Sequence, residues 1–177
     1  MSDIELATPR LWTKAGFQED EWTHAESVEA LAGNRRVILP LKVLLQLGED
    51  ERMAAAGRLG VHLLPGEAID AIVPYLADLA LVSLAFPAFN DGRSYSKAQL
   101  LRSRHGFHGP IRACGDVLID QIPLMLRTGF SEFDVSSEPA IRRLEDGHVG
   151  GIPFHYQPAA AENESARGYS WRRIPVA

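Results

Sequence analysis

The chain has one cysteine, Cys114, in 177 residues. A single thiol excludes an internal disulfide. It also excludes a cysteine-ligated iron–sulfur cluster, which needs about four such ligands. Basic charge is in short supply too, with 18 Lys and Arg against 23 Asp and Glu and a net charge of −5. Neutralising nucleic-acid phosphates takes a concentrated basic face, so no nucleic-acid partner is expected. No stretch approaches the roughly 20 uncharged apolar residues of a membrane span, because Pro74 and Asp78 interrupt the best candidate. The opening residues, MSDIELATPRLW, carry neither the basic start nor the apolar run of a signal peptide. A cytoplasmic protein without a membrane partner is expected. Several signatures are missing as well: G-x-G-x-x-G after a strand, G-x-x-x-x-G-K-[ST], C-x-x-C and G-x-S-x-G. Their absence disfavours common dinucleotide, nucleotide, dithiol and α/β-hydrolase chemistry. A flavin held by other loops stays open, and no cofactor is assigned.

What is present reads as α/β. The hydrophobic fraction of 46% and charged fraction of 23% are ordinary for one globular domain with a developed core. Apolar, strand-like runs fall at residues 37–41, 61–64, 81–86, 111–114 and 132–135. Helix-like segments separate them, which predicts about five βα units and a mainly parallel sheet. The runs are nearly continuous in apolar residues, as expected of strands covered on both faces. Two architectures fit: a flavodoxin-like sandwich, or a partial (β/α) barrel that would close its open edge with a cap or as a homodimer. The expected division is a hairpin-like extension over residues 1–36, a βα core over 37–146 and an irregular tail over 147–177, whose aromatic end (Tyr169, Trp171) is suited to docking.

Local signals place the helices. Ile69, Ile72, Val73, Leu76 and Leu79 form one helical face, which Pro74 should kink or restart. Ser96 to Gln99 has the form of a capping box, and Gly106 stands where a helix C-terminus favours glycine. Asp116 is suited to capping the next helix. Pro123 would kink that helix or delay its start to near Asp120.

Two polar clusters sit where strand-like runs give way to helices: Asn90-Asp91-Gly92-Arg93-Ser94-Tyr95-Ser96 and Arg112-Ala113-Cys114-Gly115-Asp116. That junction is where α/β proteins collect ligands and catalytic groups. Asp91-Gly92-Arg93 suits an anion-binding loop with a forked cationic donor, and it is equally good turn chemistry. Arg93, Lys97, Arg102, Arg104 and Arg112 bunch within 20 residues, which on an acidic protein suits a small anion. Arg112, inside an apolar strand, must emerge at the strand end or be paired, with Asp91, Asp116 or Asp120 as the available carboxylates. Cys114 occupies a place a nucleophile could take, yet lone cysteines are commonly small core residues. The six histidines form no metal set by spacing, and no metal site is assigned.

FPAFNDGRSYSKAQLLRSRHGF, then RACGDVLIDQ, then GFSEF resemble a bacterial family known as domain of unknown function 934. The resemblance spans roughly residues 37–135 and is densest over 86–121. It matches the family pattern at Phe86, Pro87, Asp91, Gly92, Arg93, Tyr95, Ser96, Arg102, Arg112, Gly115, Asp116, Asp120 and Gln121. Members are described as oxidoreductases associated with sulfite reduction, which implies a sulfite or nitrite reductase as partner. The single cysteine argues against a cluster-bearing reductase in this chain, so an accessory role is the expectation. A small anion would be held by Asp91, Gly92, Arg93, Ser96, Arg102, Arg112, Gly115 and Gln121. The competing expectation is an enzyme (oxidoreductase, lyase or isomerase) with Asp116 or Asp120 as acid/base and Tyr95 as proton donor. A third is a scaffold whose polar clusters only secure the fold.

Overall fold

The computed structural model describes residues 8–33 and 35–150. Its strands are β1 (Arg10–Thr13), β2 (Gly16–Gln18), β3 (Trp22–His24), β4 (Arg36–Pro40), β5 (Leu59–Leu63), β6 (Leu81–Phe86), β7 (Ile111–Gly115) and β8 (Glu132–Val135). They form one sheet in the order β2-β1-β8-β7-β6-β5-β4-β3. From β3 to β8 each strand lies parallel to the next in sequence, while β1 runs antiparallel to β8 and β2 antiparallel to β1. A flavodoxin-like sheet reverses its strand order at a switch point. Here six consecutive parallel strands advance in one direction, as in a (β/α) barrel.

The chain itself shows how strongly the sheet curls. β2 and β3 are its two edges, yet only residues 19–21 join them. Four Cα steps reach at most about 15 Å, whereas eight strands laid flat would be about 34 Å across. The sheet therefore bends into an incomplete barrel whose edges face each other across a narrow seam. The hairpin expected in the extension over residues 1–36 forms as β1 and β2, but it is part of this sheet. β3 was not foreseen as a strand.

The helical layer covers the outer face: α1 (Leu41–Leu44), α2 (Glu49–Ala54), α3 (Arg93–Ser103), α4 (Ile122–Thr128) and α5 (Glu138–Glu145). Alternate strand residues, Val37 and Leu39, Val61 and Leu63, Val82, Leu84 and Phe86, Ile111 and Ala113, Phe133 and Val135, pack beneath Leu44, Ile72, Leu101, Met125 and Ile141 in one core. The residues between them face inward, and several are polar: His62, Ser83, Arg112, Cys114, Glu132 and Asp134. So the strands are apolar on one face and mixed on the other, not apolar on both.

Three local expectations change. Pro74 does more than kink its helix, because without an N–H and with its ring against the preceding turn it leaves only two 3-10 turns, Ile69–Ala71 and Val73–Tyr75. Gly92 is the N-cap of α3, so Ser96 lies inside the helix and caps nothing. α4 starts late at Ile122 with Pro123 in its first turn, where a missing N–H costs no bond. Gly106 does terminate α3 with a left-handed φ of 62°, as Phe107 donates back to the Leu101 carbonyl. Most of the tail, residues 151–177, lies outside the described residues. Among the described residues no helix is long and apolar enough to cross a membrane.

Candidate functional site

The two polar clusters meet at the carboxyl ends of β6 and β7. Gly115 leaves β7 with φ 96°, and a Cβ there would collide with the Phe86 carbonyl. That close approach lets the Asp116 N–H donate to the Phe86 carbonyl at 2.7 Å. The Asp116 carboxylate then accepts the Phe89 N–H at 3.0 Å, and the Gln121 side-chain amide donates to the Phe89 carbonyl at 2.7 Å. Both backbone polar groups of Phe89 are thus held by the neighbouring loop. Gly115, Asp116 and Gln121 tie the rim together.

Asp91 holds Arg93 through two side-chain hydrogen bonds, 2.9 Å to Nε and 2.7 Å to Nη2, and also accepts the Arg93 N–H. Hydrogen bonding to Arg93 holds the Asp91 carboxyl down at about 2. Arg93 remains exposed at the first turn of α3, beside exposed Gly92 and Ser96. The Ser94 hydroxyl donates to the Ala85 carbonyl, and Lys97 reaches the Leu64 carbonyl at 2.6 Å. Tyr95 packs its ring on Phe86, centroids 5.2 Å apart. Burial first, then the charge of exposed Asp120, pushes its phenol up to about 12.

Two sequence-read candidates lie elsewhere. Arg102 donates to the carbonyls of Phe107, Gly109 and Gly129, at the amino ends of β7 and β8, because α3 runs back against the strands. Arg112 points from β7 into the curl of the sheet and is fully buried. Its partners are not Asp91, Asp116 or Asp120. They are Asp20, 2.7 and 2.9 Å from Nη1 and Nη2, and Glu132, 2.9 Å from Nε and from Nη2, with Asp134 at 3.5 Å. Each nitrogen of its fork donates to a carboxylate.

Around Arg112 the inner face carries groups that sequence spacing kept apart. His62 Nδ1 lies 3.2 Å from the Ser83 hydroxyl, which lies 3.3 Å from Cys114 Sγ. The His24 ring meets His62 edge-to-face at 5.4 Å. Burial pushes the Cys114 thiol up to about 11, so at neutral pH it is a thiol and not an activated thiolate. Burial lowers both histidines, and each is also affected by neighbouring charges. Asp134 is pushed up to about 6 by burial, against the pull of Arg112 and with added repulsion from Asp20 and Glu132. For Asp20 the order reverses: burial raises it, but the hydrogen bonds and charge of Arg112 prevail and hold it below its ordinary value. Among the described residues no group of three or more His, Cys, Asp and Glu is placed to hold a metal ion. A signal for this row did exist: residues 62, 83, 112, 114, 132 and 134 are polar at inward, period-2 positions of otherwise apolar strands.

No curated protein matches this chain, and no solved structure does. One family matches over residues 60–167, which contains β5 to β8, the rim and the inner polar row apart from Asp20 and His24. On that match, the chain belongs to the family described as bacterial protein of unknown function (DUF934).

Proposed function

We propose that this protein is a binding protein which holds a small inorganic anion at the carboxyl rim of its sheet and serves sulfite or nitrite reduction as an accessory to the reductase. The observation that carries the binding claim is the Asp91–Arg93 pair. Asp91 fixes the guanidinium bidentately at the start of α3, while the side chain stays exposed. A fixed, permanently charged fork exposed on the first turn of a helix suits an oxyanion such as sulfite. The accessory role rests on the family resemblance. The rim also favours binding over catalysis, since Asp116 and Gln121 are occupied with Phe89 and Tyr95 is well above the range of a working proton donor. Arg102 and Arg112 leave the ligand set, being committed to carbonyls and carboxylates.

The test is thermal stabilisation by sulfite, sulfate or phosphate, compared between the natural chain and Arg93→Ala. Stabilisation that disappears in the variant supports the rim site. No shift with any of the three anions, or an equal shift in both proteins, removes it. The accessory role is tested separately by co-purification with a sulfite reductase from cells using sulfate as sole sulfur source. Failure to co-purify removes that role and leaves the anion site standing.

A further inference from the structure

Lys97 lies four residues after Arg93 on α3, the spacing that sets two side chains next to each other on a helix. Only 9% of its surface is exposed, which is rare for a lysine without an ion pair. The ammonium reaches the carboxyl end of β5 and donates to the Leu64 carbonyl at 2.6 Å. An ammonium has three donors, and among the described residues that carbonyl is its one hydrogen-bond partner. Two carboxylates are close enough to act on its charge. Both are committed, Asp91 to Arg93 and Glu67 to the Leu64 N–H at 2.7 Å. Burial lowers the Lys97 pKa from its ordinary value, Glu67 and Asp91 pull the other way, and the Arg93 charge adds to the lowering. The charge is left undercompensated, and a buried cation in that position gains from a counter-ion. An anion can reach it, because Arg93 is exposed and Leu64 keeps about half its surface in solvent (52%).

We propose that Lys97 is the second cationic ligand of the rim, so that an inorganic oxyanion bridges the Arg93 guanidinium and the Lys97 ammonium beside Leu64. The inference rests on the rim site proposed above and adds to it the cation that Arg102 and Arg112 do not supply. It also places the anion between the Asp91 turn and the loop that follows β5.

The test is calorimetric titration of the full chain with sodium sulfate at pH 7 and constant ionic strength. The natural protein is compared with Arg93→Ala, Lys97→Met and the control Lys42→Met, at an exposed lysine of α1. Lys97→Met keeps most of the stem and removes the charge. Losing a charge-assisted hydrogen bond predicts sulfate affinity about tenfold or more weaker in Lys97→Met, with Lys42→Met matching the natural chain. No binding by the natural chain, or equal binding by Arg93→Ala, removes the rim site and the role of Lys97 with it. Binding lost in Arg93→Ala but unchanged in Lys97→Met overturns the Lys97 ligand and leaves the rim site standing. Equal weakening in Lys42→Met overturns it too, because net charge alone then accounts for the effect. If Lys97→Met does not fold by circular dichroism, the natural chain labelled with carbon-13 lysine decides. Sulfate must shift the Cε signal of Lys97 and leave those of Lys14 and Lys42, the other lysines, in place. No shift at Lys97 in saturating sulfate overturns the proposal.

Discussion

Arg112 on β7 and Asp20 in the link before β3 are 92 positions apart in the chain, yet two hydrogen bonds of 2.7 and 2.9 Å join them. The pair ties the first strands to the centre of the sheet and makes Arg112 a structural residue. Removing one partner of a buried charge cluster typically costs about 3–5 kcal/mol, because the others lose their counter-charge. Arg112→Met should therefore destabilise the chain by about that much, measured by urea unfolding. Arg112→Lys should recover little, since a single ammonium cannot reproduce a fork aimed at Asp20 and Glu132 together. A loss below about 1 kcal/mol in Arg112→Met would show that the cluster has no structural weight.

Asp134 gives the same cluster a pH signature. Its carboxyl is raised from 3.8 to about 6 by burial and by Asp20 and Glu132. Between those values the folded state binds more protons than the unfolded one, so stability falls as pH rises through this window and stays low above it. A shift of about two units corresponds to roughly 3 kcal/mol. His24 and His62 act in the opposite sense: their lowered values mean that stability is lost as pH falls below their ordinary range. Asp134→Asn keeps the histidine contribution and removes the carboxylate. It should gain stability over the natural chain at pH 8 and lose that advantage by pH 4. Urea midpoints at the two pH values check this, and a difference that does not change with pH excludes the raised carboxyl.

Gly115 makes the turn that joins the two polar clusters. It needs glycine twice, for its φ of 96° and because a side chain would meet the Phe86 carbonyl. Gly106 also has positive φ, 62°, but a Cβ there would meet nothing within 4 Å. Gly106→Ala should then cost only the backbone strain, about 1 kcal/mol. Gly115→Ala should cost clearly more, because the Asp116 to Phe86 hydrogen bond must also shift. Thermal melts of the two variants give the ranking, and equal costs would mean that the rim turn relaxes freely.

The parallel strands β4 to β8 were legible because each carries mostly apolar residues between turn signals, and the stretch at 81–86 coincides with β6 to the residue. β3 was not legible. Trp22-Thr23-His24 is too short to show a period, and only its pairing with β4 makes it a strand. At the site, the joining of the Phe89 loop to Asp116 follows from the βα order that sequence shows. The partners of Arg112 do not, because Asp20 reaches it only when the sheet curls, and curvature leaves no mark in a single strand's composition. Cys114 and His62 met for the same reason: they are 52 positions apart and adjacent only through the ladder from β5 to β7.

Arg93 and Arg102 belong to one helix and one family pattern, but the structure gives them opposite surroundings, and substitution separates them. Arg102 lays its stem against Gly129 and donates to three carbonyls, Phe107, Gly109 and Gly129, that precede β7 and β8. Removing it leaves these acceptors short of donors and exposes the surface the stem covered. Arg102→Ala should cost about 2–4 kcal/mol by urea unfolding. Arg93 pairs with half-buried Asp91 at the start of the helix, and its own guanidinium is exposed, so solvent screens the interaction. Arg93→Ala should leave the unfolding midpoint where it was and remove only the response to added anions. Should Arg93→Ala lower the midpoint as far as Arg102→Ala does, the Asp91–Arg93 loop is part of the fold's support, and its exposed fork has no claim to being a binding group.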